Sequence, residues 1–119
     1  MANIVYLNEF KSRKNRITDI QIAKKYLFSL DPDSLEVSLA DSIMDLVIDY
    51  NSTNVEVKFS SLSKTLNVPV SRLKKAYKNL VDHKLLIELS NRYGKPVLVS
   101  SKNLILACDI KEYIDSYIN

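Results

Sequence analysis

The sequence predicts an α+β fold, mostly helical, closed by a small antiparallel sheet. Three observations lead there. The 119 residues hold one glycine, Gly94, and three prolines, so few positions break a helix. Apolar residues recur at three- and four-residue spacing through most of the chain. Three short runs depart from that spacing. Val55, Val57 and Phe59 alternate with Glu56 and Lys58, while LLIEL (85–89) and VLVSS (97–101) flank the turn segment SNRYGKP. Apolar residues make up 46% of the chain, enough for a packed core.

Residues 1–17 read as a loose basic arm, in which Ile4, Val5, Tyr6 and Leu7 suit a short strand or packing on the domain and KSRKNR has no apolar residue. Thr18 with Gln21 resembles a capping box. It opens a helix over 18–30, whose stripe is Ile20, Ala23, Leu27 and Leu30, joined by Tyr26. Asp31-Pro32-Asp33-Ser34 separates this helix from the next. The second helix starts at Ser34 or Ser38 and ends at Tyr50. Leu39, Ile43, Leu46, Val47 and Tyr50 form its stripe, with Asp41, Asp45 and Asp49 opposite. After the loop 51–54 and the strand 55–59, Ser60 or Ser61 is placed to cap a short helix that carries Leu62 and Leu66 inward. Asn67-Val68-Pro69 interrupts that helix, because asparagine tolerates the left-handed conformation and proline suits a helix's first turn.

The next helix, 70–83, turns Leu73, Ala76, Tyr77, Leu80 and Val81 inward. Ser71, Lys74, Lys75, Lys78 and Asp82 face out, with Arg72 on the flank. The hairpin 85–101 follows, with Gly94 and Pro96 as turn residues. A last helix fills most of the segment from Lys102 onward. The domain organisation is thus an arm over 1–17, an N-terminal helix over 18–33, a central domain over 34–101 and a C-terminal helix over 102–119.

Net charge is only +3, but it is segregated. Residues 31–56 carry Asp31, Asp33, Glu36, Asp41, Asp45, Asp49 and Glu56 and no Lys or Arg. Residues 58–84 carry Lys58, Lys64, Arg72, Lys74, Lys75, Lys78 and Lys84 against Asp82 alone. One basic and one acidic surface result, and the basic one is of the kind that attracts a polyanion.

Several chemistries are excluded. The single Cys108 rules out an intramolecular disulfide and a cysteine zinc site. One glycine cannot build a glycine-rich phosphate loop. No apolar run approaches the ~20 residues that span a membrane. The N-terminal stretch lacks the order of a secretion signal, so a soluble cytoplasmic protein is expected. Cys108, in an apolar run, is expected in the core. His83, the only histidine, has no metal-ligand partner and reads as a structural or surface residue. Asp41, Asp45 and Asp49 read as a solvated or partner-facing surface. The seven tyrosines fall mainly on apolar stripes and are expected mainly in the core, Tyr93 excepted. No catalytic constellation, metal or cofactor is expected.

From residue 34 the order helix, strand, helix, turn, helix, strand, turn, strand, helix resembles the winged helix-turn-helix family, over residues 34 to about 101. In LSKTLNVPVSRLKKAYKNL (62–80), Leu62, Leu66, Val68, Leu73, Ala76 and Leu80 fall where that family has buried positions. Asn67 stands where glycine is common. The resemblance implies that the helix from 70 is a recognition helix for double-stranded DNA, with Val70, Ser71, Arg72, Lys74 and Lys75 nearest the bases and Lys78 on phosphate. It implies that Ser61 and Lys64 lie near the DNA backbone, and that Arg92, Tyr93 and Lys95 form a wing tip reaching the adjacent minor groove or its phosphates. The basic arm would add contacts.

The role implied is transcriptional regulation, with replication or partition of a phage, plasmid or other mobile element as an alternative. A homodimer is expected, because two recognition helices then occupy adjacent turns of the groove. Its interface is expected on the apolar stripes of 18–30 and 103–118, which exceed what a minimal winged domain needs. The rival reading is an adaptor module on the same fold that binds a protein through the acidic helix 34–50.

Overall fold

The structure is a computed structural model that describes residues 19–109. The basic arm, Thr18 of the expected capping box and the segment after Asp109 lie outside the described residues. Within them the chain is α+β and mostly helical. Helix α1 covers 19–29, α2 Leu35–Tyr50, α3 Phe59–Leu66, α4 Val70–Asp82 and α5 102–109. Strands β1 (Asn54–Val57), β2 (Ile87–Ser90) and β3 (Val97–Ser100) form one antiparallel sheet in the order β1-β3-β2. No helix of the described residues is long and apolar enough to cross a membrane.

Three helices end on the same device. Asn51, Asn67 and Lys84 have positive φ (49°, 55° and 68°) just past α2, α3 and α4. Each left-handed residue turns the next amide back onto the last helical turn. Ser52 donates to the Val47 carbonyl (3.2 Å), Val68 to Ser63 (3.1 Å) and Leu85 to Leu80 (3.0 Å). This six-to-one bond satisfies a carbonyl that the helix end would otherwise orphan. The Ser63 hydroxyl also donates to the Val68 carbonyl and locks the turn between α3 and α4. Asn67→Ala is therefore expected to cost about 1 kcal/mol, the left-handed penalty, and Asn67→Gly to be close to neutral. Thermal unfolding of the two variants checks this.

Of the two starts expected for α2, Ser34 and Ser38, the structure takes the first: Ser34 is the N-cap, its hydroxyl accepting from the Val37 N–H at 3.4 Å. The strand expected over 55–59 is shorter. It ends at Val57; Lys58, still extended, is the N-cap residue of α3 and its carbonyl accepts from Leu62, so α3 begins at Phe59. Ser60 and Ser61, expected as caps, lie inside the first turn, and the N-terminus of α3 has no side-chain cap. Register pairs Val55 with Val99 and Val57 with Val97, and all four valines face the core. At the open edge of β1 the Ser52 hydroxyl donates to the Asn54 carbonyl (3.0 Å) and accepts from its N–H (3.2 Å). That blunts an edge otherwise ready to pair with another chain.

The strand expected over LLIEL starts only at Ile87. Leu85 and Leu86 both donate their N–H to the Leu80 carbonyl, at 3.0 and 3.3 Å. Their backbones stay tied to the end of α4 while their side chains fill the core. On the far side of the hairpin, Ser101 leaves the sheet. Its N–H and hydroxyl both reach the Thr53 carbonyl, and its own carbonyl accepts from Ile105 as α5 starts.

One apolar cluster unites all five helices and the sheet. Ala23 and Leu27 enter it from α1, and Leu104 and Ala107 from α5, all buried. Of the stripes expected to be spare for a dimer, these four residues are spent inside the chain's own core, while Ile20, Tyr26, Leu30 and Ile105 are half-buried. Tyr26 of α1 also stacks on His83, with ring centroids 3.9 Å apart and planes 6° off parallel. The His83 ring closes the end of α4 through Nδ1, 2.8 Å from the Asn79 carbonyl. The tyrosine expectation fails for Tyr50, which is 72% exposed because α2 outruns the core by its last turn. Of Tyr26, Tyr50, Tyr77 and Tyr93, only Tyr77 is buried. Cys108 is half-buried against the core rather than within it.

Candidate nucleic-acid interface

Helix α4 is two-sided. Leu73, Ala76, Tyr77 and Leu80 are buried, and with 3.6 residues per turn Ser71, Lys74, Lys75 and Lys78 fall on the opposite side. These four are exposed, as are Arg72 on the flank and Val70 at the first turn. The core thus fixes the helix's rotation and presents its cations to solvent. Pro69, extended at φ −61° and ψ 145°, starts the helix without a side-chain cap.

The hairpin β2–β3 carries the second basic group. Arg92, Tyr93 and Lys95 are exposed in the connecting loop, and the Lys95 N–H donates to the Arg92 carbonyl at 3.1 Å. Gly94 closes that turn with φ 76°. Nothing lies within 4 Å of where its Cβ would be, so the backbone conformation, not crowding, demands glycine here.

Phe59 joins these groups. The Lys74 ammonium lies 5.8 Å from the centroid of its ring, within cation–π range. Tyr77 meets the same ring edge-on at 5.2 Å and 76°. The Tyr77 hydroxyl donates to Glu88 Oε1 on β2 at 2.7 Å, and Asn91 Nδ2 donates to the same oxygen at 3.1 Å. Burial first, then the Glu88 carboxylate, pushes the Tyr77 hydroxyl far above the ordinary tyrosine range, so it stays a donor. Burial, and secondarily Glu36, also raises Tyr26.

Lys58 was not singled out from sequence. Together with Phe59, Ser60, Gly94 and Lys95 it lines a crevice of about 350 Å³ between the start of α3 and the hairpin. Its place at the strand-to-helix junction, hidden by the strand expected to run on to Phe59, is the signal that would have found it. Lys64 is exposed on α3. Ser61 lies apart from this crevice. It rims an apolar groove of about 460 Å³ lined by Leu46, Tyr50, Val55, Leu62 and Leu98. Asp41, Asp45 and Asp49 are exposed on α2, as expected.

No protein-family model, no curated protein and no solved structure matches this chain.

Proposed function

We propose that this chain is a winged helix-turn-helix protein that binds double-stranded DNA sequence-specifically and acts as a transcriptional regulator. One observation carries the reading. Arg72, Lys74, Lys75 and Lys78 are exposed on a helix whose other side is locked in the core. The element order and the strand order β1-β3-β2 support the fold assignment, with the β2–β3 loop as the wing. An α-helix of this kind fits the major groove. On this reading Val70, Ser71, Arg72, Lys74 and Lys75 meet base edges. Lys78, Lys64 and Lys58 meet phosphates, while Arg92, Tyr93 and Lys95 follow the neighbouring groove.

The test is fluorescence anisotropy of wild type and Lys74→Ala/Lys75→Ala on a mixed-sequence duplex across a salt series. Wild-type affinity is expected to fall steeply with salt, and the double variant, with two fewer cations beside the duplex, to bind more weakly with a shallower slope. No binding at low salt would overturn the reading. The same titration gives stoichiometry, where two chains per site fit the proposed dimer and one chain rejects it.

A second reading rests on Ile48 and Tyr50, each 72% exposed beside Asp49 on α2. Exposed apolar side chains on a helix that also presents Asp41, Asp45 and Asp49 suit a basic-apolar protein segment, the adaptor alternative.

A further inference from the structure

We infer that the Tyr77–Glu88–Asn91 hydrogen-bond bridge is a positioning device that sets the wing's angle to the DNA-facing helix, and so decides whether Arg92 and Lys95 reach phosphate. The inference rests on the DNA-binding reading above.

Four observations converge on it. First, Tyr77 is only 7% exposed and lies on the buried side of α4, so its hydroxyl is a fixed point in the frame of that helix. Second, Glu88 is exposed and has no structural need of a buried partner, yet its Oε1 takes both the Tyr77 hydroxyl and the Asn91 amide. One oxygen thereby ties α4 to β2 and to the first residue of the loop that carries Arg92. Third, the β2–β3 register slips here. Glu88 pairs with Val99 and Ser90 with Leu98, which leaves Leu89 as a bulge. A bulge bends and re-aims a strand, and a four-residue strand interrupted by one has little stiffness of its own. Fourth, Phe59 packs on Tyr77 and also under Lys74, so the same tyrosine ring is braced from the side that carries the cation.

The placement of a carboxylate there conflicts with simple electrostatics. A negative charge close to a polyanion-binding loop should weaken binding, and its removal should tighten it. The bridge predicts the opposite for any variant that also loses the acceptor oxygen. Tyr77→Phe keeps shape and charge and leaves Glu88 to water, so it isolates the hydrogen bond. Glu88→Ala removes both charge and acceptor. Glu88→Gln removes the charge but keeps an amide oxygen that can accept from both donors.

The experiment is duplex affinity and salt slope for wild type, Tyr77→Phe, Glu88→Ala, Glu88→Gln and Arg92→Ala/Lys95→Ala, with Tyr77→Phe repeated in the last background. Tyr77→Phe and Glu88→Ala are expected to bind about 5-fold more weakly, with a slope reduced by up to about 2, as in Arg92→Ala/Lys95→Ala. Glu88→Gln is expected to bind as well as wild type or better. Tyr77→Phe should add nothing once Arg92 and Lys95 are gone, whereas general loosening of α4 would weaken binding in both backgrounds. Wild type that binds, with Glu88→Ala tighter or Tyr77→Phe unchanged, overturns the bridge and leaves the DNA reading standing. Arg92→Ala/Lys95→Ala that binds like wild type also overturns it. Wild type that binds no duplex removes the reading beneath it.

Discussion

Lys74→Glu/Lys75→Glu is expected to lower duplex affinity by at least about 100-fold near ~0.1 M salt. Each residue removes a contact worth about 1–3 kcal/mol and replaces it with a repulsive charge. Both side chains are exposed, on the side of α4 away from Leu73, Ala76 and Leu80. The fold therefore has little stake in them. The one contact at risk is the Lys74 ammonium over Phe59, worth about 0.5–1 kcal/mol at an exposed site. A melting temperature within a few degrees of wild type, alongside lost binding, separates recognition from unfolding. The control is Asp45→Asn/Asp49→Asn on α2, which moves net charge in the opposite sense, and binding should hold or tighten. An effect of Lys74→Glu/Lys75→Glu under about threefold would mean that these lysines are a solvated face and that the nucleic-acid reading is wrong.

Much of the fold was legible because burial and periodicity agree over α1, α2 and α4. The stripe of 70–83 matches the buried set Leu73, Ala76, Tyr77 and Leu80, and Asn67 adopts the left-handed conformation its side chain permits. Errors cluster where backbone hydrogen bonds override pattern. Phe59 continues the alternation of Val55 and Val57, yet the Lys58 carbonyl accepts from Leu62 and turns the chain into α3. Leu85 and Leu86 look like strand residues, yet their amides belong to the end of α4. Tyr50 continues the α2 stripe, but nothing in the sequence says where the core beneath it stops.

The candidate site was legible as a list of cations and illegible as a geometry. Spacing along one helix puts Lys74, Lys75 and Lys78 together, because a helix's face is a local property. What relates that face to Arg92 and Lys95 is not local. It runs through Phe59, Tyr77 and Glu88 on three elements, and none of these bears a charge that a search for a basic patch would notice. Lys58 was missed for the same reason, since its approach to Lys95 is a tertiary fact. Stripe length on α1 and α5 was judged against a minimal domain, and the sequence does not say that Ala23, Leu27, Leu104 and Ala107 enlarge this domain's core.

Leu80→Ala is expected to cost about 2–5 kcal/mol and lower the melting temperature by roughly 10–20 °C, the largest stability effect of any single substitution proposed. Leu80 is fully buried, so truncation loses its transfer free energy and leaves a cavity that the helix cannot close by shifting. Its position makes collapse harder than elsewhere. The Leu80 carbonyl receives the Leu85 and Leu86 amides, and both of those side chains are themselves buried. Backbone and side chains at this point are thus fixed from both ends, by α4 on one side and the hairpin on the other. Leu80→Met, which nearly conserves volume, should cost less than about 1.5 kcal/mol. Chemical denaturation of the two variants makes the comparison, and equal losses would mean that the site can repack and is not the junction its hydrogen bonds indicate. Because the same junction orients the hairpin against α4, a folded Leu80→Met chain should keep duplex affinity. Leu80→Ala should lose it in proportion to the unfolded fraction, and addition of duplex should raise its melting temperature.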